Sequence, residues 1–87
     1  MKLEFSISSL DDLKFWKKAD RRMALKVTEL LLEIAQTPYR GKGKPEPLVG
    51  NLSGFWCRRI NIKDRIVYSV DEAADTVFIL SARGHYG

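Results

Sequence analysis

The sequence predicts a small α+β domain in which two N-terminal helices pack on one face of an antiparallel sheet. A short segment of alternating polar and apolar residues opens the chain, and two segments with helical apolar stripes follow it. Three strand-like segments joined by short polar links come last, which is typical of an antiparallel meander. The predicted order is β-α-α-β-β-β, within a single domain that spans residues 1–87.

The opening segment, residues 2–6, is predicted as a strand because polar and apolar residues alternate along it. The first helix is predicted to begin at Ser9, a favourable N-cap residue, with Asp12 three residues later in the position of a capping box. Its apolar face consists of residues at helical spacing, namely Leu10, Leu13 and Trp16.

The second helix is predicted from Asp20, which can cap it, to about Gln36, before the Thr37-Pro38 stop. Its main apolar stripe is formed by Met23, Val27, Leu30, Leu31 and Ile34. Leu25 and Leu32 fall on the opposite side. We expect the helix to lie between the sheet and the first helix, which uses both sides; the alternative is that these two leucines contact another chain.

The last three strands are predicted at residues 55–60, 65–70 and 76–82. The segment before them, residues 38–54, contains all three prolines and four of the six glycines. This composition predicts a loop, and a loop of this length in a compact domain is usually functional. Because the helices cover one face of the sheet, we expect its other face to be left uncovered.

Positive charge is concentrated in the middle of the chain. The formal net charge is +4, whereas residues 38–65 alone hold seven basic and two acidic residues, a net of +5. A basic segment of this kind attracts phosphates, so nucleic acid leads the list of expected partners.

Composition also excludes several classes of protein. The single cysteine, Cys57, cannot form an internal disulfide, and no Cys/His cluster has the spacing of a metal site, so we expect neither a metal nor a cofactor. The longest apolar runs have three or four residues, far short of the ~20 that span a membrane. We expect no signal peptide, no membrane partner and a cytoplasmic location.

Glu46 is the one acidic residue in the loop 38–54. It lies between Pro45 and Pro47, which restrict the backbone on both sides and so limit the directions of its carboxylate. From spacing alone, a solvated loop glutamate is the more common interpretation.

Arginines and a C-terminal histidine complete the set of candidate residues. Period-two alternation sends Arg58 and Arg59 to opposite sheet faces, so at most one of them can share a site with Arg65. His85 is the only histidine, and its ordinary pKa of ~6.5 suits proton transfer near neutral pH. Metal-free RNA cleavage needs a base, a cation and an acid, and all three residue types are present.

Several longer motifs resemble the YoeB/Txe toxins of the RelE superfamily. They are GKGKPEPL at residues 41–48, NLSGFWCRRI at 51–60, DRIVY at 64–68 and the closing HY at 85–86. Together these motifs are highly specific, and the resemblance covers essentially the whole chain.

The resemblance implies a RelE-like fold and a toxin of a bacterial type II toxin–antitoxin system. Such a toxin is an endoribonuclease that cuts mRNA on the translating ribosome at the aminoacyl (A) site. Attack by the 2′-hydroxyl leaves a 5′-hydroxyl on one fragment and a cyclic or 3′-phosphate on the other. The implied partners are a cognate acidic antitoxin, the 70S ribosome with its mRNA, and a second copy in a homodimer.

The resemblance also implies roles for individual residues. Glu46 matches the general base, His85 the general acid, and Arg65 the cation that stabilises the phosphate, while Tyr86 matches a terminal tyrosine that orients substrate or leaving group. Further RNA contacts fall on Arg59, Arg83, Lys44, Lys42 and Arg40.

The sequence departs from the family pattern at three positions. Val49 stands where a lysine is common, Gly84 replaces an aromatic residue before His85, and Gly87 extends the chain beyond the usual terminal tyrosine. None of these changes removes a proposed catalytic group, but the two tail changes bear on how the tail is positioned.

Two other functions compete with RNA cleavage. The same fold can serve as a non-catalytic module that blocks the ribosome or acts as a co-repressor with an antitoxin. ParE-like members of the wider superfamily resemble this fold and poison gyrase, but a gyrase poison has no need for Glu46, Arg65 and the His85-Tyr86 tail.

Overall fold

The computed structural model describes residues 1–84 and confirms an α+β fold with two helices and one sheet. The elements in chain order are β1 Lys2–Phe5, α1 Ile7–Ala19, α2 Arg21–Gln36, β2 Glu46–Pro47, β3 Trp56–Arg59, β4 Arg65–Asp71 and β5 Thr76–Ser81, with a 3₁₀ turn at Gly50–Leu52. Within the described residues, neither helix has the length and apolar character needed to cross a membrane.

The sheet has five strands in the order β1-β5-β4-β3-β2 and is mixed, which corrects the prediction of a purely antiparallel sheet. β3 to β5 form the predicted antiparallel meander, and β2 adds to it in antiparallel pairing, but β1 pairs with β5 in parallel, with Leu3 opposite Val77. Alternation in β1 does not encode its direction of pairing. A parallel pair needs a crossover, and the chain between β1 and β5 supplies one.

The fifth strand, β2, lies inside the segment predicted as a loop. Its two residues pair with β3, with Glu46 opposite Cys57 and Pro47 opposite Trp56. β2 forms an edge of the sheet, where a proline without an N–H is tolerated.

α1 begins three residues earlier than predicted. Ser6, not Ser9, is the N-cap: its Oγ accepts the Ser9 N–H at 2.9 Å and donates to the Leu80 carbonyl at 2.6 Å. Both serines are good caps in isolation, but only Ser6 also bonds to β5. Asp12 takes no part in capping; its Oδ2 accepts the Ala82 N–H at 2.9 Å.

α2 begins and ends where predicted, with the Asp20 carboxylate accepting the Met23 N–H at 3.2 Å. However, Leu25 and Leu32 are 65% and 60% exposed, so the prediction that α2 lies between α1 and the sheet is wrong. Both helices contact β5 and each other, and lie side by side on the sheet. The outer side of α2 is therefore open, and its contact with another chain stays a prediction.

The core lies between the two helices and one sheet face. Trp16 of α1 and the α2 stripe pack against Ile66, Tyr68 and Ile79 of the sheet. The Trp16 indole N–H donates to the Ala82 carbonyl at 2.8 Å, which satisfies the one polar atom of this buried ring. Among residues 1–84, no helix covers the opposite face, which we call the open face.

Ser6→Ala should lower the free energy of unfolding by ~1–2 kcal/mol, because the side chain caps α1 and also bonds to β5. Denaturant unfolding of the parent and the variant measures this. Ser8→Ala, an exposed change in the same turn, is the control and should stay within ~0.5 kcal/mol of the parent. Equal losses for the two variants would contradict the assignment of Ser6 as the cap.

Candidate functional site

Arg58 is fully buried on the helix-facing side of β3. It holds residues 37–45, which we call the segment before β2. A guanidinium has five N–H donors. Their acceptors are the Tyr68 hydroxyl (3.2 Å), Glu33 Oε1 (2.6 Å) and the carbonyls of Lys42 (3.3 Å), Arg40 (2.6 Å) and Thr37. All five donors are satisfied, so the buried charge is compensated.

Glu33 and Tyr68 complete what we call the Arg58 cluster. Glu33 Oε1 also accepts the Lys42 N–H at 2.7 Å, and the Tyr68 hydroxyl donates to the Pro38 carbonyl at 2.6 Å. The Lys42 N–H and then the Arg58 guanidinium lower the pKa of the Glu33 carboxyl, although partial burial opposes this. Glu33 thus contributes stability above its unfolded-state pKa that is lost as pH falls.

Two glycines let the segment approach this cluster closely. At Gly41 (φ 122°) a Cβ would lie 1.7 Å from Glu33 Oε1, and at Gly43 (φ 84°) it would lie 2.8 Å from the Arg59 carbonyl. The Gly43 carbonyl accepts the Arg59 N–H at 2.7 Å. The segment therefore continues the edge pairing beyond β2 and places Lys42 and Lys44 beside the end of β3.

The open face gathers the other candidate residues around Cys57. Strand register places Cys57 opposite both Glu46 of β2 and Val67 of β4, and it places Arg59 opposite Arg65. Because Arg58 points toward α2, its neighbours Cys57 and Arg59 point to the open face. This arrangement brings together Glu46, Arg59 and Arg65. Only one of the two adjacent arginines shares a face with Arg65, which is the limit that strand alternation set.

The same three charged residues affect the pKa of the Cys57 thiol. Burial, followed by the negative charge of Glu46, raises the pKa of the Cys57 thiol, while the positive charges of Arg65 and Arg59 oppose this. The Cys57 Sγ lies 3.9 Å from Glu46 Oε1 and donates a weak hydrogen bond to it. One carboxylate and two guanidinium groups thus act on a single buried atom.

Arg65 is held by the turn between β3 and β4. It is 9% exposed, and its Nη1 donates to the carbonyls of Asn61, Ile62 and Asp64 at 3.3–3.4 Å. No described residue accepts a hydrogen bond from its Nε or Nη2. Within residues 1–84 the guanidinium is therefore held through one nitrogen.

The chain after β5 is tied to Arg65 at Gly84. The Gly84 carbonyl accepts the Arg65 N–H at 2.9 Å, and its own N–H donates to Asp64 Oδ1 at 2.9 Å. Gly84 has φ 98°, a left-handed conformation that favours glycine. This conformation gives a physical reason for glycine in place of an aromatic residue. His85, Tyr86 and Gly87 lie outside the described residues.

The remaining predicted RNA contacts fall into two groups, three residues before β2 and Arg83 after β5. Arg40, Lys42 and Lys44 are exposed on the segment before β2. Arg83 is different: its guanidinium carbon lies 3.5 Å from the centre of the Phe15 ring of α1. Among the described contacts, none joins Arg83 to Glu46 or to the other arginines of the open face.

Sequence reasoning missed the Arg58 cluster as an organising feature. The signal was present in Arg58 and Arg59, since alternation requires one of two adjacent strand arginines to face the helices. Nothing in the sequence named its partners, which lie 25 and 10 positions away at Glu33 and Tyr68. Within residues 1–84, no group of three or more His, Cys, Asp or Glu side chains could hold a metal ion.

Comparison with known proteins shows which family the chain belongs to. The model of YoeB-like toxins of bacterial type II toxin–antitoxin systems matches residues 5–86. The chain belongs to this family. Among its curated relatives, Toxin YoeB of Escherichia coli K12 is 48% identical over 86 residues, which are 99% of this chain and 100% of the relative. Toxin YoeB of Streptomyces coelicolor is 40% identical over the same shares.

Solved structures agree with this membership of the YoeB-like toxins. A YoeB/ParE toxin from Agrobacterium tumefaciens superposes with a TM-score of 0.93 at 42% identity, covering 99% of this chain and 100% of that one. A YoeB dimer from Staphylococcus aureus gives 0.87 at 38% identity, covering 99% and 98%. A heterotetrameric YoeB–YefM toxin–antitoxin complex from the same species gives 0.86 at 38% identity, with the same coverage. The resemblance to the RelE superfamily seen in the sequence is confirmed.

Glu46→Gln should make Cys57 react faster with iodoacetamide at pH 8, because removing the carboxylate charge lowers the pKa of the thiol and raises the thiolate fraction. The alkylation rate of the folded protein, followed by mass spectrometry, measures this. Glu29→Gln, an exposed acid of α2, should leave the rate unchanged. An unchanged rate in Glu46→Gln would contradict the placement of Glu46 beside Cys57.

Proposed function

We propose that this YoeB-like toxin is a ribosome-dependent endoribonuclease that cleaves mRNA in the A site without a metal ion. The observation that carries the proposal is the convergence of Glu46, Arg59 and Arg65 around Cys57 on the open face. A carboxylate beside two guanidinium groups offers a proton acceptor next to a site for phosphate. Family membership supports the same chemistry.

In the proposed reaction, Glu46 takes the proton of the 2′-hydroxyl as the 2′-oxygen forms a bond to phosphorus. Arg65, with Arg59, stabilises the negative charge that builds on the phosphate oxygens. His85 gives a proton to the departing 5′-oxygen as its bond to phosphorus breaks, and Tyr86 orients this group. The products are a 2′,3′-cyclic phosphate and a 5′-hydroxyl.

The position of Gly84 supports the role proposed for the tail. Gly84 is bonded to the backbone of Arg65, and His85 is the next residue in the sequence. This bond ties the chain directly before His85 to Arg65, in keeping with a shared site for the two residues.

RNA outside the scissile nucleotide is proposed to contact the basic segment before β2. Arg40, Lys42 and Lys44 are exposed there, and Lys42 and Lys44 line the same cavity as Arg59. Contacts of this kind to phosphates release counterions, so ribosome or RNA binding should weaken steeply with salt.

Protein partners are also part of the proposal. The solved YoeB–YefM complex and the solved YoeB dimer support an acidic antitoxin and a second copy of the chain as partners. Leu25 and Leu32 on the outer side of α2 are available for such a contact. Action on translating ribosomes places the protein in the cytoplasm.

Cleavage is tested by primer extension on a defined message in a cell-free translation reaction. The parent should give a discrete cut within the A-site codon, and Glu46→Gln or His85→Ala should reduce its rate by ~10²–10⁴-fold, the contribution of a general base or acid. Glu29→Gln and Lys14→Ala, which change exposed charges on the helices, should cut like the parent.

The alternatives give different results in the same assay. A message that stays whole while translation stops identifies a ribosome-blocking module and contradicts the proposal. Polynucleotide kinase should label the downstream fragment without prior phosphatase treatment, because 2′-hydroxyl attack leaves a 5′-hydroxyl. A fragment that needs phosphatase first would contradict the proposed chemistry.

A further inference from the structure

We infer that Arg58 is a positioning residue for the proposed reaction: through the Arg58 cluster it holds the segment before β2, which carries Lys42 and Lys44 and leads directly into Glu46. This inference rests on the proposed function and adds to it a residue that faces away from the substrate.

Arg58 itself cannot contact RNA in this fold. Its side chain is fully buried on the helix-facing side of β3, and its five N–H donors are all used within the protein. Any effect of Arg58 on RNA cleavage must therefore act through the groups that it binds.

Those groups are mostly the backbone of one segment. Arg58 binds the carbonyls of Thr37, Arg40 and Lys42, Glu33 accepts the Lys42 N–H, and Tyr68 binds the Pro38 carbonyl. Apart from packing of Tyr39 on Trp56, the described tertiary contacts of residues 38–42 run through this cluster. Without it, the segment would have little to fix it.

The segment leads directly into the site. Gly43 is bonded to the Arg59 N–H, and Glu46 pairs with Cys57, so only Lys44 and Pro45 separate the two points of pairing. A shift of the segment therefore moves both the basic side chains and the carboxylate. Misplacement of a catalytic group by ~1 Å can cost ~100-fold in rate.

The decisive variants remove one group of the Arg58 cluster while keeping its shape. Glu33→Gln removes the charge that pairs with Arg58, and Tyr68→Phe removes only a hydroxyl. Arg58→Lys is the direct variant, but it also disturbs a buried group. Glu29 lies one turn earlier on α2, outside the cluster, and Glu29→Gln is the matched control. Ile34→Val destabilises the core without removing a polar group of the cluster.

Two measurements are made on each variant in the full chain: the cleavage rate of ribosome-bound message at saturating protein, and the rate of trypsin cutting after Arg40 and Lys42. Glu33→Gln should lower the first by at least ~10-fold and raise the second by at least ~10-fold. Tyr68→Phe should shift both in the same directions by less. Glu29→Gln should match the parent.

A purely structural role predicts a different pattern. If Ile34→Val, at a melting temperature equal to that of Glu33→Gln, loses cleavage to the same extent, the inference is wrong. It is also wrong if Glu33→Gln cleaves RNA like the parent, or cleaves slowly while the segment stays protected from trypsin. A parent that never cuts RNA contradicts the proposed function instead, and trypsin alone then decides whether the cluster holds the segment.

Discussion

A guanidinium in a protein interior is stable only when acceptors replace the water that it loses, and Arg58 depends on this condition. Its acceptors come from α2, from β4 and from the segment before β2. The buried charge therefore ties together three parts of the chain. Because the geometry of a planar guanidinium is fixed, its hydrogen bonds also set the orientation of the groups that it binds.

The open face gains its charge from the same strand. Adjacent residues of β3 point to opposite sides, so Arg58 enters the interior while Arg59 joins Arg65 on the open face. β2 then brings one carboxylate to the edge of this basic surface. Within two neighbouring strands, the fold thus separates an arginine bonded in the interior from two that lie on the open face.

The two faces of the sheet have different roles, and this difference leaves room for such a site in a domain of this size. Both helices pack on one face, where Trp16 and the α2 stripe supply most of the apolar contact. The other face carries Glu46, Arg59 and Arg65, and no helix covers it in residues 1–84. One side of the sheet therefore forms the core, and the other carries the site proposed above.

Much of this fold was predictable, because helix stripes and strand alternation are local patterns. The bounds of α2 and the meander β3-β4-β5 follow from such patterns, as does the division of Arg58 from Arg59. The parallel pairing of β1, the choice of Ser6 over Ser9, and the exposure of Leu25 and Leu32 depend on tertiary contacts. For the same reason, candidate site residues were visible in the motifs, whereas Glu33 was not: its role comes from a contact 25 residues away.

The most direct test of the central claim is a double-mutant cycle between Glu33 and Arg58. Free energies of unfolding are measured at pH 7 for the parent, Glu33→Gln, Arg58→Met and the double variant. A coupling energy of at least ~2 kcal/mol is expected for an ion pair with one fully buried partner, since either single change leaves the other group uncompensated. A coupling energy below ~0.5 kcal/mol would show that the pair does not hold this part of the structure together.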